Sequence, residues 1–187
     1  MINFLEHLIR KLFFMYTWNF GVLMVVLLLI SIFYLLLKRK VTTKKTNTVF
    51  LVSFASYFAL IIYVTLIDRS SKTESTGLCL IPFNSYFQLF KGNTDIFMQS
   101  IMNIAFYYPF GFLISELDVK FIRKRRWIVA VLAFVVSFCV ESLQFLFHLG
   151  YAEFDDVIHN TLGATIGLFA FLGLNKLFDK IEQYIKN

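Results

Sequence analysis

The chain has 187 residues, 58% of them hydrophobic and only 16% charged, with a net charge of +6. Soluble domains average about 45–50% apolar and about 25% charged residues, so a mean hydropathy of +0.70 excludes an ordinary water-soluble globule, which would leave large apolar patches exposed. A disordered chain is excluded as well, because there is ample apolar area to bury, and an integral membrane protein is what remains.

Residues 1–17 open the chain with an amphipathic segment. Ile2, Leu5, Leu8, Ile9, Leu12, Phe13 and Tyr16 recur at helical spacing, while Glu6, His7, Arg10 and Lys11 fall elsewhere. This pattern predicts a helix lying in the membrane interface. Trp18–Leu37 follows without a formal charge, long enough for a hydrocarbon core that takes about 20 residues to cross. It is too long for the apolar part of a signal peptide. It ends on Lys38-Arg39-Lys40, not on a small-residue cleavage site, so it reads as a retained helix. With the basic stretch to residue 48 it forms the region 18–48.

Residues 49–175 hold four further spans: Val49–Ile67, Ile96–Ser115, Trp127–His148 and Val157–Leu174. Backbone in lipid must satisfy its own hydrogen bonds, so runs of this length are helices. The fold class is therefore all-α, a polytopic bundle of five transmembrane helices. Pro109 removes one helical hydrogen bond from the third, predicting a kink and a freed carbonyl at Ala105. Residues 176–187 form a tail. Lys and Arg are concentrated in the connections 38–48 and 116–126 and in that tail, 13 of them against 5 on the opposite side. The asymmetry predicts an outside N-terminus and an inside C-terminus. The outer loop 68–95 is apolar and aromatic from Leu78 to Phe90. It is too short to span and is expected to lie along the interface or dip inward as a roof. Cys79 and Cys139 read as unpaired thiols. No basic run interleaved with aromatics indicates nucleic-acid binding.

Polar residues break the apolar rule in the last three spans. On the fourth, Ser137, Glu141, Gln144 and His148 stand at offsets that a helix brings into one stripe. On the fifth, Asp156, Asn160, Gly163 and Gly167 repeat those offsets, and the two glycines form a pair that lets helix backbones approach. On the third, Asn103 is followed one turn later by Tyr107. At 1.5 Å per residue Glu141 and Asn103 each lie about 10 Å below the outer face, and Asn160 about 5 Å. Asp155 and Asp156 sit at the rim. A carboxylate in a bilayer is costly and faces a protein interior or wet cavity. The expected site is thus an outward pocket of Asn103, Tyr107, Glu141, Gln144, Asp155, Asp156 and Asn160. Asp155 and His159 are spaced to share a metal, but the residues identify neither a metal nor a cofactor.

The pieces Leu80-Ile81-Pro82-Phe83, Asn103 with Tyr108-Pro109-Phe110-Gly111-Phe112, Glu141 with Gln144, and the run Asp155 to Gly167 together resemble the VanZ-like family of bacterial membrane proteins, over roughly residues 50–175. Gly150 or Tyr151, and Glu153, stand where family members often have Arg and Asp. The resemblance gives Pro82, Pro109, Gly111, Gly163 and Gly167 structural roles. It implies a multi-pass protein of the bacterial cell membrane and a part in tolerance of lipid-tailed glycopeptide antibiotics such as teicoplanin. A binding or shielding protein would hold such an antibiotic, a membrane lipid or a lipid-linked cell-wall precursor in the outward pocket. An intramembrane enzyme would use Glu141 and Asp156, with Asp155, as acid, base or metal ligands on such a precursor. A transporter is disfavoured by the absence of an internal repeat and of a polar lining in the inner half.

Overall fold

The computed structural model describes residues 29–36, 43–67, 76–117, 122 and 124–186. The segment 1–17 and the beginning of the first span lie outside the described residues. Helix α1 (residues 29–36) is followed by α2 (Thr43–Ile62), which continues as one π-helical stretch, Tyr63–Ile67. Strand β1 (Gly77–Cys79) leads to a short helix α3 (Asn84–Phe90) and then to α4 (Thr94–Glu116), α5 (Ile128–Leu146), β2 (Tyr151–Glu153) and α6 (Phe154–Lys186). Helices α4, α5 and α6 are long and apolar enough to cross a membrane, and Val52–Ile62 is a shorter apolar helix.

Local chemistry sets the helix ends. Asn93 caps α4 by accepting the Asp95 N–H at 3.3 Å, with Asp95 in the first turn where the helix dipole favours an anion. At the far end Arg126 Nη1 donates to the Ser115 carbonyl at 3.0 Å, placing a cation on the terminal acceptors. Helix α5 stops in a Schellman turn. The Leu149 N–H donates to Gln144 O at 2.8 Å and the His148 N–H to Phe145 O at 3.3 Å, with His148 left-handed at φ 55°. His148 is exposed and leaves the stripe expected of it, because the helix ends before its turn is complete.

The central packing is α4 against α6, and it is made by absent side chains. A Cβ on Gly163 would sit 2.1 Å from Ile104 O, one on Gly167 2.1 Å from Tyr108 O, and one on Gly111 1.8 Å from Ala164 O. Only glycine permits backbones this close. Tyr107, Phe110, Ile114, Ile128, Val129, Ala133, Ala164 and Leu168 fill the main core beside this seam. Tyr108, Phe112, Leu113, Phe171 and Leu35 of α1 form a second cluster. Ser31 and Tyr108 share a hydrogen bond at 3.2 Å, tying α1 to it.

Three expectations are refined here. Helix α4 runs through Pro109 without interruption. In the turn before Pro109, Tyr57 Oη donates to the carbonyl of Phe106. The tail from residue 176 is helical to Lys186, continuing α6. Among the described residues the helical bundle also carries a parallel strand pair, Gly77–Cys79 on Tyr151–Glu153. The Tyr151 ring lies over Gly77, 2.4 Å from where a Cβ would sit, so a side chain there would have to turn the ring aside.

Candidate functional site

Helices α4, α5 and α6 bring a buried polar group together at the strand-pair end of the bundle. Helical spacing puts Asn103 and Tyr107 on one face of α4, Ser137 and Glu141 on one face of α5, and Asp156 and Asn160 on one face of α6. The glycine seam then presses α6 onto α4. Asn160 Nδ2 donates to Ser137 Oγ at 2.8 Å. Tyr107, 1% exposed, lies near Ser137, Glu141 and Asp156. Glu141 Oε2 accepts the Glu153 N–H at 2.9 Å, tying α5 to β2. Glu141, Asp156 and Asn160 are all buried. Among the described residues Asn103 Nδ2, Tyr107 Oη and Asn160 Oδ1 have no hydrogen-bond partner of good geometry. Buried polar atoms of this kind are rare in folded proteins and call for a partner such as an ordered water or a bound group.

Two of the residues expected in the pocket are engaged elsewhere. Asp155 points to α3: one carboxylate oxygen accepts the Phe83 N–H, and the other accepts Ser85 N–H at 2.8 Å and Ser85 Oγ–H at 2.7 Å. The carboxylate thus satisfies amides at the start of a seven-residue helix. It fastens the Leu80-Ile81-Pro82-Phe83 turn to α6, with Phe83 left-handed at φ 62° just after Pro82. Gln144 Nε2 donates to the Thr65 carbonyl at 2.9 Å. That carbonyl lies in the π-helical end of α2, where the regular ladder is interrupted.

An open cavity of 310 Å³ adjoins this group. Leu78, Leu80, Phe138, Phe145, Leu146 and Val157 line it, with Glu141, Ser142 and Glu153 as its polar members. Of the residues expected to line a pocket, Glu141 alone borders this cavity. The open space is apolar, and the polar side chains stand behind its wall.

A model of the VanZ/LLP1 family matches residues 25–177, most of the chain. The chain belongs to the VanZ-like family. It is 32% identical over 77 residues to "Protein VanZ" of Enterococcus faecium, a match covering 40% of this chain and 45% of that protein. No solved structure matches it.

In this VanZ-like chain sequence reasoning underrated two residues. His159 is buried, with Nε2 3.1 Å from Tyr86 Oη and the two rings 5.7 Å apart. Its position one turn after Asp155 places it against the same helix, α3, a relation visible only once α3 is seated on α6. Ser137 is the hydrogen-bond partner of Asn160, and its place on the Glu141 stripe was the available signal. Both Asp155 oxygens accept hydrogen bonds from the start of α3, while the His159 ring meets Tyr86. Among the described residues no three His, Cys, Asp or Glu side chains converge to hold a metal ion.

Proposed function

We propose that this VanZ-like chain is a multi-pass protein of the bacterial cell membrane, crossing five times with its N-terminus outside and its C-terminus inside. In this reading it contributes to tolerance of lipid-tailed glycopeptides such as teicoplanin by binding or shielding at the outer leaflet. The observation that carries the proposal is Glu141, a buried carboxylate that borders an apolar cavity and, like Asp156, lies near Tyr107. An amphiphile needs apolar surface for its tail and fixed polar groups for its head, and this junction offers both. The name of the Enterococcus faecium relative and the family match support the same reading.

The grouping of two buried carboxylates near one tyrosine favours a second reading, an intramembrane enzyme acting on a lipid-linked cell-wall precursor with Glu141 and Asp156 as acid and base. The test is teicoplanin susceptibility in a Gram-positive host expressing wild type, Glu141→Gln, Asp156→Asn or Asn160→Ala at matched membrane levels. Binding alone predicts that Glu141→Gln keeps most of the tolerance and that Asn160→Ala loses it. Catalysis predicts that Glu141→Gln abolishes tolerance while its membrane level and melting curve stay those of wild type. A wild-type response from all three variants overturns both readings.

A further inference from the structure

Helix α6 is longer than a membrane requires. Its 33 residues reach about 50 Å at 1.5 Å per residue, against a hydrocarbon core about 30 Å thick. The surplus lies at the C-terminal end. No Asp, Glu, Lys or Arg falls between Val157 and Leu174, whereas Lys176, Asp179, Lys180, Glu182 and Lys186 follow in the next turns. Charges are costly in hydrocarbon, so residues 176–186 stand beyond it as a helical rod.

That rod is not polar all round. Leu177 is 51% exposed, Ile181 45%, Tyr184 86% and Ile185 76%. On a helix of 3.6 residues per turn these four fall in one stripe about 100° wide, and the charged residues take the rest of the circumference. Beside the stripe, Leu174 and Phe178 pack back onto the cluster of Tyr108, Phe112 and Leu35. The bundle thus covers the neighbouring flank while the four side chains remain exposed. A contiguous apolar face outside lipid marks a contact surface. Lipid head groups would cover it only if the helix bent flat onto the membrane, and α6 runs unbroken from Phe154 to Lys186.

The spacing selects the partner. Leu177, Ile181 and Tyr184 are separated by four and then three residues, the seam of a coiled coil with Leu177 and Tyr184 at d and Ile181 at a. A β-branched residue at a with Leu at d favours two parallel strands. Two copies of one membrane protein cross the bilayer in the same direction, so their α6 helices are parallel. Ile185 then falls at e, opposite Lys180 at g of the second copy, whose methylene stem covers it without bringing like charges together. A short seam suffices, because the membrane already holds both helices folded and upright and confines them at high local concentration.

We propose that residues 177–185 of α6 form the seam of a parallel homodimer, with Leu177, Ile181 and Tyr184 of each copy meeting across a twofold axis normal to the membrane. The seam is independent of the polar group around Glu141 and of any effect on teicoplanin tolerance.

The full chain, carrying Cys79→Ala and Cys139→Ala, is reconstituted at low density in vesicles of phosphatidylglycerol and phosphatidylethanolamine and oxidised with copper phenanthroline. A cysteine at d meets its counterpart across a parallel seam, so Leu177→Cys and Tyr184→Cys should each link most of the protein into disulfide dimers. Lys176→Cys and Gln183→Cys, one residue earlier and turned away from the seam, should leave it monomeric. The wild-type chain with a C-terminal fluorophore should bleach in two steps in single vesicles. Ile181→Glu changes an exposed position outside the bundle core and should reduce this to one step. Equal crosslinking at all four positions, crosslinking at none, single-step bleaching of the wild type, or two-step bleaching kept by Ile181→Glu overturns the proposal.

Discussion

Asp155 illustrates how a residue's role depends on what reaches it. Its position in the sequence suggests a site acid, yet its oxygens meet the amides and hydroxyl at the start of α3. A seven-residue helix is too short to hold itself in isolation, so the seating of α3 depends on this carboxylate. Asp155→Ala should cost about 3 kcal/mol through unsatisfied donors. The expected signs are a lower melting temperature in detergent and faster proteolysis between residues 76 and 95. Asp155→Asn should recover part of the loss, and an unchanged cleavage pattern would remove the staple. His148 presents the opposite case. It occupies the left-handed position of a Schellman turn that favours glycine. His148→Gly is expected to raise stability by about 1 kcal/mol, measured by thermal unfolding; a lower melting temperature would contradict this account of the helix end.

At the scale of elements, the contact between α4 and α6 is what assembles the polar group. Lipid offers no hydrophobic gain for helix association, so close packing must supply it. A side chain on the seam therefore costs more than its own volume. Gly163→Ala pushes a methyl into Ile104 O, a backbone atom that cannot rotate away. The expected loss is about 1–3 kcal/mol, with Asn160 drawn off Ser137. Gly173 lies on the same helix with nothing within 4 Å of an added Cβ. Gly173→Ala is expected to gain about 0.5–1 kcal/mol, the ordinary helix preference. Thermal unfolding of the two variants in the same detergent checks the pair; equal effects would mean the seam is not tight.

For the whole molecule, the proposed topology puts the strand-pair end outside and the end of α6 inside. In a background of Cys79→Ala and Cys139→Ala, Phe147→Cys should react with a membrane-impermeant maleimide on intact cells. Gln183→Cys should react only after permeabilisation. Labelling of both in intact cells, or the reverse order, would invert or dismantle the five-crossing arrangement.

The long helices were legible because a bilayer demands some 20 apolar residues in a row, a local property that α4, α5 and α6 carry in their composition. The shared stripes of Ser137 with Glu141 and of Asp156 with Asn160 followed from the helical period alone, as did the small-residue pair Gly163 and Gly167. Which backbone those glycines meet did not follow, because it depends on how two distant helices cross. The same limit hid the parallel pairing of Gly77–Cys79 with Tyr151–Glu153, the binding of Asp155 to α3 and of Gln144 to Thr65. Each joins residues some 70 positions or more apart, by hydrogen bonds that periodicity does not encode. Sequence by itself settled which residues are polar where polarity is costly. Only tertiary packing decided which of them serve structure and which stand behind the wall of the apolar cavity, since a buried polar group takes whichever partner the fold brings within hydrogen-bond distance.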